Sequence, residues 1–165
     1  MTRRGISRVL STLLIMGALP ASLTAEPAES SQATRHYDLD GSVGIQGYDP
    51  VAYFEASAAV KGKKALSASH NGVEYWFTTE ASRAKFKADP DRYRPAYGGW
   101  CAWAMANGGK TRPDPENFIL EDGRLFLFYK NFFTDTKASW QEGEPVALEK
   151  QADGEWASLL GGHDD

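Results

Sequence analysis

The residue with the most distinctive chemistry is Cys101, the single cysteine in a chain of 165 residues. A pair of glycines stands on each side of it, at 98–99 and 108–109, and the residues between the pairs favour a short helix. We expect Cys101 in the first turn of that helix, where unpaired backbone N–H groups stabilise a thiolate. Met105 follows four residues later, on the same helical face. A thiolate beside a thioether suits a soft metal ion, and copper is the first candidate.

Such a site needs further ligands, and His70 is the histidine that we expect to supply one. Tyr48, Asp49, Trp100 and Trp103 could line a pocket around the ion. The sequence therefore predicts a metal site that contains Cys101, Met105 and His70.

Two other functions fit the same segment. In the first, Cys101 is a small buried residue, and Trp100 and Trp103 form an aromatic surface that binds a protein partner. In the second, Cys101 is the thiol of a redox protein. The chain has no second cysteine to resolve a mixed disulfide, so turnover would require an external thiol.

Composition and charge exclude several classes of protein. One cysteine can neither form an internal disulfide nor build a cysteine-rich zinc site. The chain carries 18 Lys and Arg against 22 Asp and Glu, a net charge of −4, which argues against nucleic-acid binding. Apolar residues make up 42% of the chain, as expected of one compact domain.

The first 25 residues have the pattern of a secretory signal peptide. Three arginines precede an apolar stretch at 9–19, and small residues follow up to Ala25, where we predict cleavage. No later apolar run is long enough to span a membrane. We therefore expect a periplasmic or secreted protein.

Removal of that segment leaves 15 basic and 22 acidic residues, a net charge of −7. Such a charge disfavours contact with nucleic acid and anionic lipid. We predict a flexible tether at 26–35, a folded domain at 36–160 and a disordered tail at 161–165.

Two hairpins are expected around the candidate residues. Asn71-Gly72 would join strands at 65–70 and 73–78, and Asp122-Gly123 would join strands at 118–121 and 124–130. The strand at 124–130 is apolar on both faces and is expected at the centre of the fold. A further short strand is predicted at 51–54.

Helices are predicted between and after these hairpins. Thr78 or Thr79 would cap one that stops at Asp89-Pro90, a second would contain Phe133 and Trp140, and a third would begin at Pro145. The third would bury a stripe at positions 148, 152, 156 and 159. The pattern predicts a single α+β domain with a small antiparallel sheet built from the two hairpins.

Three blocks of the sequence are specific in combination. They are GYDPVAYF at 47–54, GVEYWF at 72–77 and YGGWCA at 97–102. In these blocks the chain resembles the YHS-domain proteins, and specifically their exported, single-domain branch. The resemblance extends from Ile45 to Trp156 and implies a small α+β module.

The resemblance extends to YHS domains attached to copper-exporting ATPases and metal regulators. In those relatives, three cysteines link the domain to heavy metals. The matching positions here are Ala52, Thr78 and Ser82, and none of them carries a thiol. The resemblance implies no enzymatic reaction for this branch. We therefore expect a periplasmic binding module whose partner is a soft metal ion, held by Cys101, or a periplasmic protein.

Overall fold

A computed structural model describes residues 34–162 of the chain. The predicted signal peptide, residues 26–33 of the tether and the last three residues of the tail therefore lie outside the described residues. The strands are β1 (Leu39–Asp40), β2 (Val43–Gly44), β3 (Lys63–His70), β4 (Val73–Phe77), β5 (Asp114–Glu121) and β6 (Arg124–Phe128). The α-helices are α1 (Pro50–Ala56), α2 (Glu80–Ala88), α3 (Pro90–Tyr93), α4 (Ala102–Ala106), α5 (Thr136–Glu142) and α6 (Pro145–Gly161), and short 3-10 turns lie at Ile45–Gly47 and Ala96–Gly99.

The Asn71-Gly72 turn joins β3 to β4, which confirms the first hairpin. Both turn residues have positive φ, 49° and 80°, as a two-residue type I′ turn requires. The sheet has the order β1-β2-β4-β3, with β4 antiparallel to β3 and parallel to β2. The described residues form two hydrophobic cores. Alternate residues of β4, namely Val73, Tyr75 and Phe77, are buried in the first of them, together with Phe86 and Leu125. The fold belongs to the predicted α+β class.

The prediction of a strand at 51–54 is wrong, because this segment lies in helix α1. Asp49 Oδ1 accepts a hydrogen bond from Val51 N–H at 2.9 Å, and Pro50 takes the first helical position. These are strong signals for a helix start. Four consecutive apolar residues fit a strand or a buried helix equally well, so the cap decides between them.

The helix predicted after the first hairpin is confirmed as α2. Thr79 Oγ1 accepts a hydrogen bond from Ser82 N–H at 3.0 Å, and the helix ends before Asp89. Phe86 on this helix is buried in the first core. Asp89 also caps a new helical turn, α3, which the sequence analysis did not predict.

β6 separates the two hydrophobic cores, as expected of a central strand. Leu125 and Leu127 belong to the first core, and Phe126 and Phe128 belong to the second. β5 and β6 form a two-stranded sheet of their own, so the two hairpins lie in different sheets. The loop before α4 runs alongside β6 and parallel to it, which places Cys101 opposite Leu127.

Two helices cover the second core. α5 begins at Thr136, so the prediction that Phe133 belongs to this helix is wrong; Phe133 precedes the helix and is 90% exposed. α6 begins at Pro145 as predicted. Its predicted stripe packs on the second core through Leu148, Ala152, Trp156 and Leu159. None of the helices within residues 34–162 is long and apolar enough to cross a membrane.

Candidate functional site

Cys101 is fully buried, and both hydrogen-bonding functions of its thiol are used. Sγ accepts a hydrogen bond from Tyr129 N–H at 3.3 Å and lies 3.3 Å from Thr136 Oγ1. The Thr136 hydroxyl donates its one proton to the Tyr129 carbonyl at 2.9 Å, so the thiol is the donor toward Thr136. The thiol therefore ties the loop before α4 to the end of β6 and the start of α5.

The structure gives His70 different neighbours from Cys101 and Met105. Met105 is fully buried in the second core. His70 Nε2 lies 3.3 Å from Asp91 Oδ1, and the imidazole packs on Phe86 of the first core. Within residues 34–162 no group of three or more His, Cys, Asp or Glu side chains is placed to hold a metal ion. His70 thus contacts Asp91 and Phe86, whereas the Cys101 thiol contacts Tyr129 and Thr136, and the three-ligand metal site stays a prediction.

Tyr48 and Asp49, two of the four predicted pocket residues, lie in different environments. Asp49 is fully buried, and its carboxylate accepts hydrogen bonds from Val51 N–H and from both the N–H and the hydroxyl of Thr78, at 2.9, 2.8 and 2.7 Å. The Tyr48 hydroxyl instead donates to Glu116 at 3.0 Å, and Lys61 lies over the Tyr48 ring. Asp49 is therefore a structural carboxylate.

Trp100 and Trp103 are half-buried and pack on the second core. The Trp100 indole donates a hydrogen bond to the His36 carbonyl. Much of the aromatic surface expected here therefore serves internal packing.

The three positions that match the metal-linked cysteines of YHS domains line one cleft. Ala52, Thr78 and Ser82 surround a volume of about 230 Å³ between α1 and α2. At its edge Lys85 forms an ion pair with Glu55 at 2.5 Å. The positions thus converge in space, although this chain places no thiol there.

We expect Cys101 to be unreactive in the folded protein, because its side chain has no exposed surface. Maleimide should label it only after unfolding in denaturant. Replacement by alanine should lower the free energy of unfolding by about 1–2 kcal/mol, since Tyr129 N–H loses its acceptor and a small cavity forms. Rapid labelling of the native protein would contradict the buried placement.

A second cleft, of about 390 Å³, has a different chemical character. Arg92, Arg94 and Arg124 line it, and we call it the arginine cleft. Its aromatic walls come from both hydrophobic cores and consist of Tyr37, Tyr75, Tyr97 and Trp156. Its volume falls in the range of small-molecule sites, roughly 300–1,000 Å³.

The turn at Gly98 shapes this cleft. Gly98 has a φ of 60°, and a Cβ at this position would lie 2.7 Å from the Tyr37 ring and 2.8 Å from the Trp156 ring. Glycine is therefore needed both for the backbone conformation and for the close approach of the two rings. Arg94 precedes this turn in an extended conformation, just after the end of α3.

Arg94 and Arg124 differ in how their guanidinium groups are used. Arg124 binds Asp153 through both Nη atoms, at 2.8 and 3.3 Å, and also donates to Glu149. Arg94 Nη2 lies 3.0 Å from Asp91, whose side chain is 70% exposed, and such a pair contributes little. Arg94 Nε is buried and has no hydrogen-bond partner among residues 34–162. Of these two arginines, Arg94 is therefore the better able to bind an anion.

Burial and hydrogen bonding set the protonation of the groups around the cleft. Burial raises the pKa of Tyr75 and the pKa of Tyr97, so both hydroxyls are protonated near neutral pH. Burial also opposes ionisation of Asp153, but hydrogen bonds from Arg124 and Tyr97 outweigh it and lower the Asp153 pKa. Asp153 therefore stays ionised and holds Arg124 against α6.

Comparisons with protein-family models, curated proteins and solved structures give no match. The resemblance to YHS-domain proteins therefore stays a prediction from the sequence blocks.

The arginine cleft was not predicted from the sequence. Arg92 and Arg94 alternate around a buried tyrosine, Tyr93, and this local pattern is a weak signal for two charges at one edge of the core. Arg124 joins them only through the second hairpin, and its place in the cleft depends on tertiary structure.

Proposed function

We propose that the protein is a binding module for a small organic anion, which it holds in the arginine cleft. The observation that carries this proposal is Arg94, whose Nε is buried without a partner among the described residues. A buried donor without an acceptor costs about 1–3 kcal/mol. A ligand carboxylate that draws the Arg94 side chain toward the cleft could accept from Nε and Nη2 together, and this bidentate pair would remove the cost.

The walls of the cleft favour an organic anion over a bare ion. Trp156 packs on Tyr37 with 5.6 Å between ring centroids, and Leu160 beside them is 50% exposed. These surfaces suit a ring or an alkyl group. The lining carries three arginines and one acid, Asp91, in a chain of net charge −4. Asp153 and Glu149 already pair with Arg124, so Arg92 and Arg94 are the cations that the cleft offers to an anion.

Benzoate and benzamide provide the test, since they have nearly the same shape and differ in charge. We expect benzoate to bind in isothermal titration calorimetry, and benzamide to bind at least about tenfold more weakly, because a charge-assisted pair is lost. Arg94→Gln should weaken benzoate binding at least about tenfold and should leave benzamide binding unchanged.

Arg83→Gln is the matched control for this experiment. Arg83 is also a partly exposed arginine, paired with Glu80 at 2.7 Å, but it lies on α2 outside the cleft. Its replacement should change neither affinity. The proposal fails if benzoate, phenyl phosphate and indole-3-acetate all fail to bind, or if benzamide binds as well as benzoate.

The proposal assigns Cys101 a structural role, and copper binding by this thiol stays a hypothesis with its own test. An anaerobic Cu(I) titration would compare the protein with its Cys101→Ala variant. Binding of one ion that the variant loses would support the hypothesis, whereas equal and negligible binding would exclude it. Export, expected from residues 1–25, likewise stays a prediction.

A further inference from the structure

Phe132 and Phe133 are the most exposed large apolar side chains among the described residues, at 94% and 90%. Their rings contact each other edge to face, with centroids 5.0 Å apart. Asn131 fixes the turn that carries them, because its Oδ1 accepts hydrogen bonds from Phe133 N–H and Thr134 N–H at 2.9 and 2.8 Å. Both rings are therefore held in solvent by an ordered turn.

A cleft of about 350 Å³ lies beside this turn. Lys61, Arg112 and Lys130 line it, and its lining includes one acid, Asp114. Tyr129 connects the cleft to the turn, since it lines the cleft and its hydroxyl accepts a hydrogen bond from Asn131 at 2.7 Å.

Acidic side chains partly neutralise this cationic set. Arg112 pairs with Asp38 at 2.9 Å, and Lys130 Nζ lies 3.4 Å from Asp135. Lys61 donates to a backbone carbonyl and lies over the Tyr48 ring. Lys61 therefore has no ion-pair partner among the described residues, although Glu116 binds the hydroxyl of the same Tyr48. Arg112 and Lys130 are both half exposed and able to contact a further anion.

We propose that the Phe132-Phe133 turn and the cationic cleft beside it dock the protein on a bilayer surface that contains anionic phospholipid. The two phenylalanines enter the interfacial region, and the cations of the cleft contact phosphate headgroups. Acidic side chains more than about 8–10 Å from the cleft oppose this contact only weakly, because salt screens them.

The area of the turn favours a bilayer over a second copy of the chain. Two phenylalanines supply at most about 500 Å², whereas a stable protein interface needs about 800 Å² on each side. A convex apolar turn with cations beside it instead matches the apolar interior and anionic surface of a bilayer.

Sedimentation with lipid vesicles tests this proposal. The protein would be expressed without residues 1–25, so that the apolar stretch of the predicted signal peptide makes no contribution; the turn and the cleft lie within residues 34–162. We expect binding to phosphatidylcholine vesicles that contain phosphatidylglycerol, and weaker binding to phosphatidylcholine alone. The double variant Phe132→Ser and Phe133→Ser should lower the partition coefficient at least about tenfold.

Val146→Ser is the matched control, because Val146 is 84% exposed and belongs to α6 and not to the turn. This variant should bind vesicles as the unchanged protein does. The double variant should keep the wild-type melting temperature, since its rings are almost fully exposed. The proposal is overturned if the unchanged protein does not sediment with anionic vesicles, or if the double variant sediments equally well.

Discussion

Replacement of Asp49 by alanine is expected to lower the free energy of unfolding by about 3–5 kcal/mol. The buried carboxylate accepts three hydrogen bonds, from Val51 N–H and from the N–H and hydroxyl of Thr78. It thus caps α1 and fixes this helix to the end of β4. Alanine would leave the buried Val51 N–H and the two partly buried Thr78 donors without this acceptor, and an unsatisfied buried donor costs about 1–3 kcal/mol. Denaturant unfolding followed by circular dichroism measures the difference.

Asp89 provides the matched control for this substitution. It also precedes a proline and caps a helix, α3, but its bond to Arg92 N–H is 3.4 Å long and lies at the surface. Asp89→Ala should therefore cost only about 1 kcal/mol or less. If the two variants lose similar stability, Asp49 does not have the structural role described above.

The second large effect is a gain of metal binding in a variant with Ala52→Cys, Thr78→Cys and Ser82→Cys. The three positions line one cleft of about 230 Å³, so three thiols would face a common space. Thiolates are the preferred ligands of Cu(I). We expect the variant to bind one Cu(I) tightly in an anaerobic titration against a competing chelator.

The control carries serine at all three positions, through Ala52→Ser and Thr78→Ser with Ser82 unchanged. It keeps nearly the same side-chain size and replaces sulfur with oxygen, a poor ligand for Cu(I). Both variants lose the methyl group of Thr78, so a difference in Cu(I) affinity between them measures the contribution of the thiols. A folded cysteine variant that binds Cu(I) no better than the serine variant would contradict the idea that this cleft corresponds to the metal site of YHS domains.

Local signals in the sequence predicted the two hairpins, the helix α2 and the start of α6. Asn71-Gly72 specifies a two-residue turn because both positions need positive φ, and the turn forms as expected. Asp49-Pro50 is an equally local signal for a helix start, but the apolar residues after it also fit a strand. Phe133 fits a helical spacing with Trp140, yet Asn131 holds it in a turn before α5.

The candidate site depends on contacts that a single sequence does not show. Arg94 and Arg124 come together because β6 places the second hairpin beside the loop after α3. The burial of Cys101 is likewise a tertiary effect, since it follows from packing against the end of β6. Residue type alone could not distinguish a buried thiol from a ligand, and exposure decides between them.

The measurement that tests the anion-binding claim most directly follows the Arg94 Nε–H group itself. A ¹H–¹⁵N correlation spectrum of the arginine side chains, recorded during a benzoate titration, would be assigned with Arg94→Gln and Arg83→Gln. The structure predicts that the Arg94 signal shifts during the titration, because its Nε–H gains an acceptor, and that the Kd from this shift equals the Kd from calorimetry. The Arg83 signal should stay in place. An Arg94 signal that does not move while benzoate binds would contradict the arginine cleft as the ligand site.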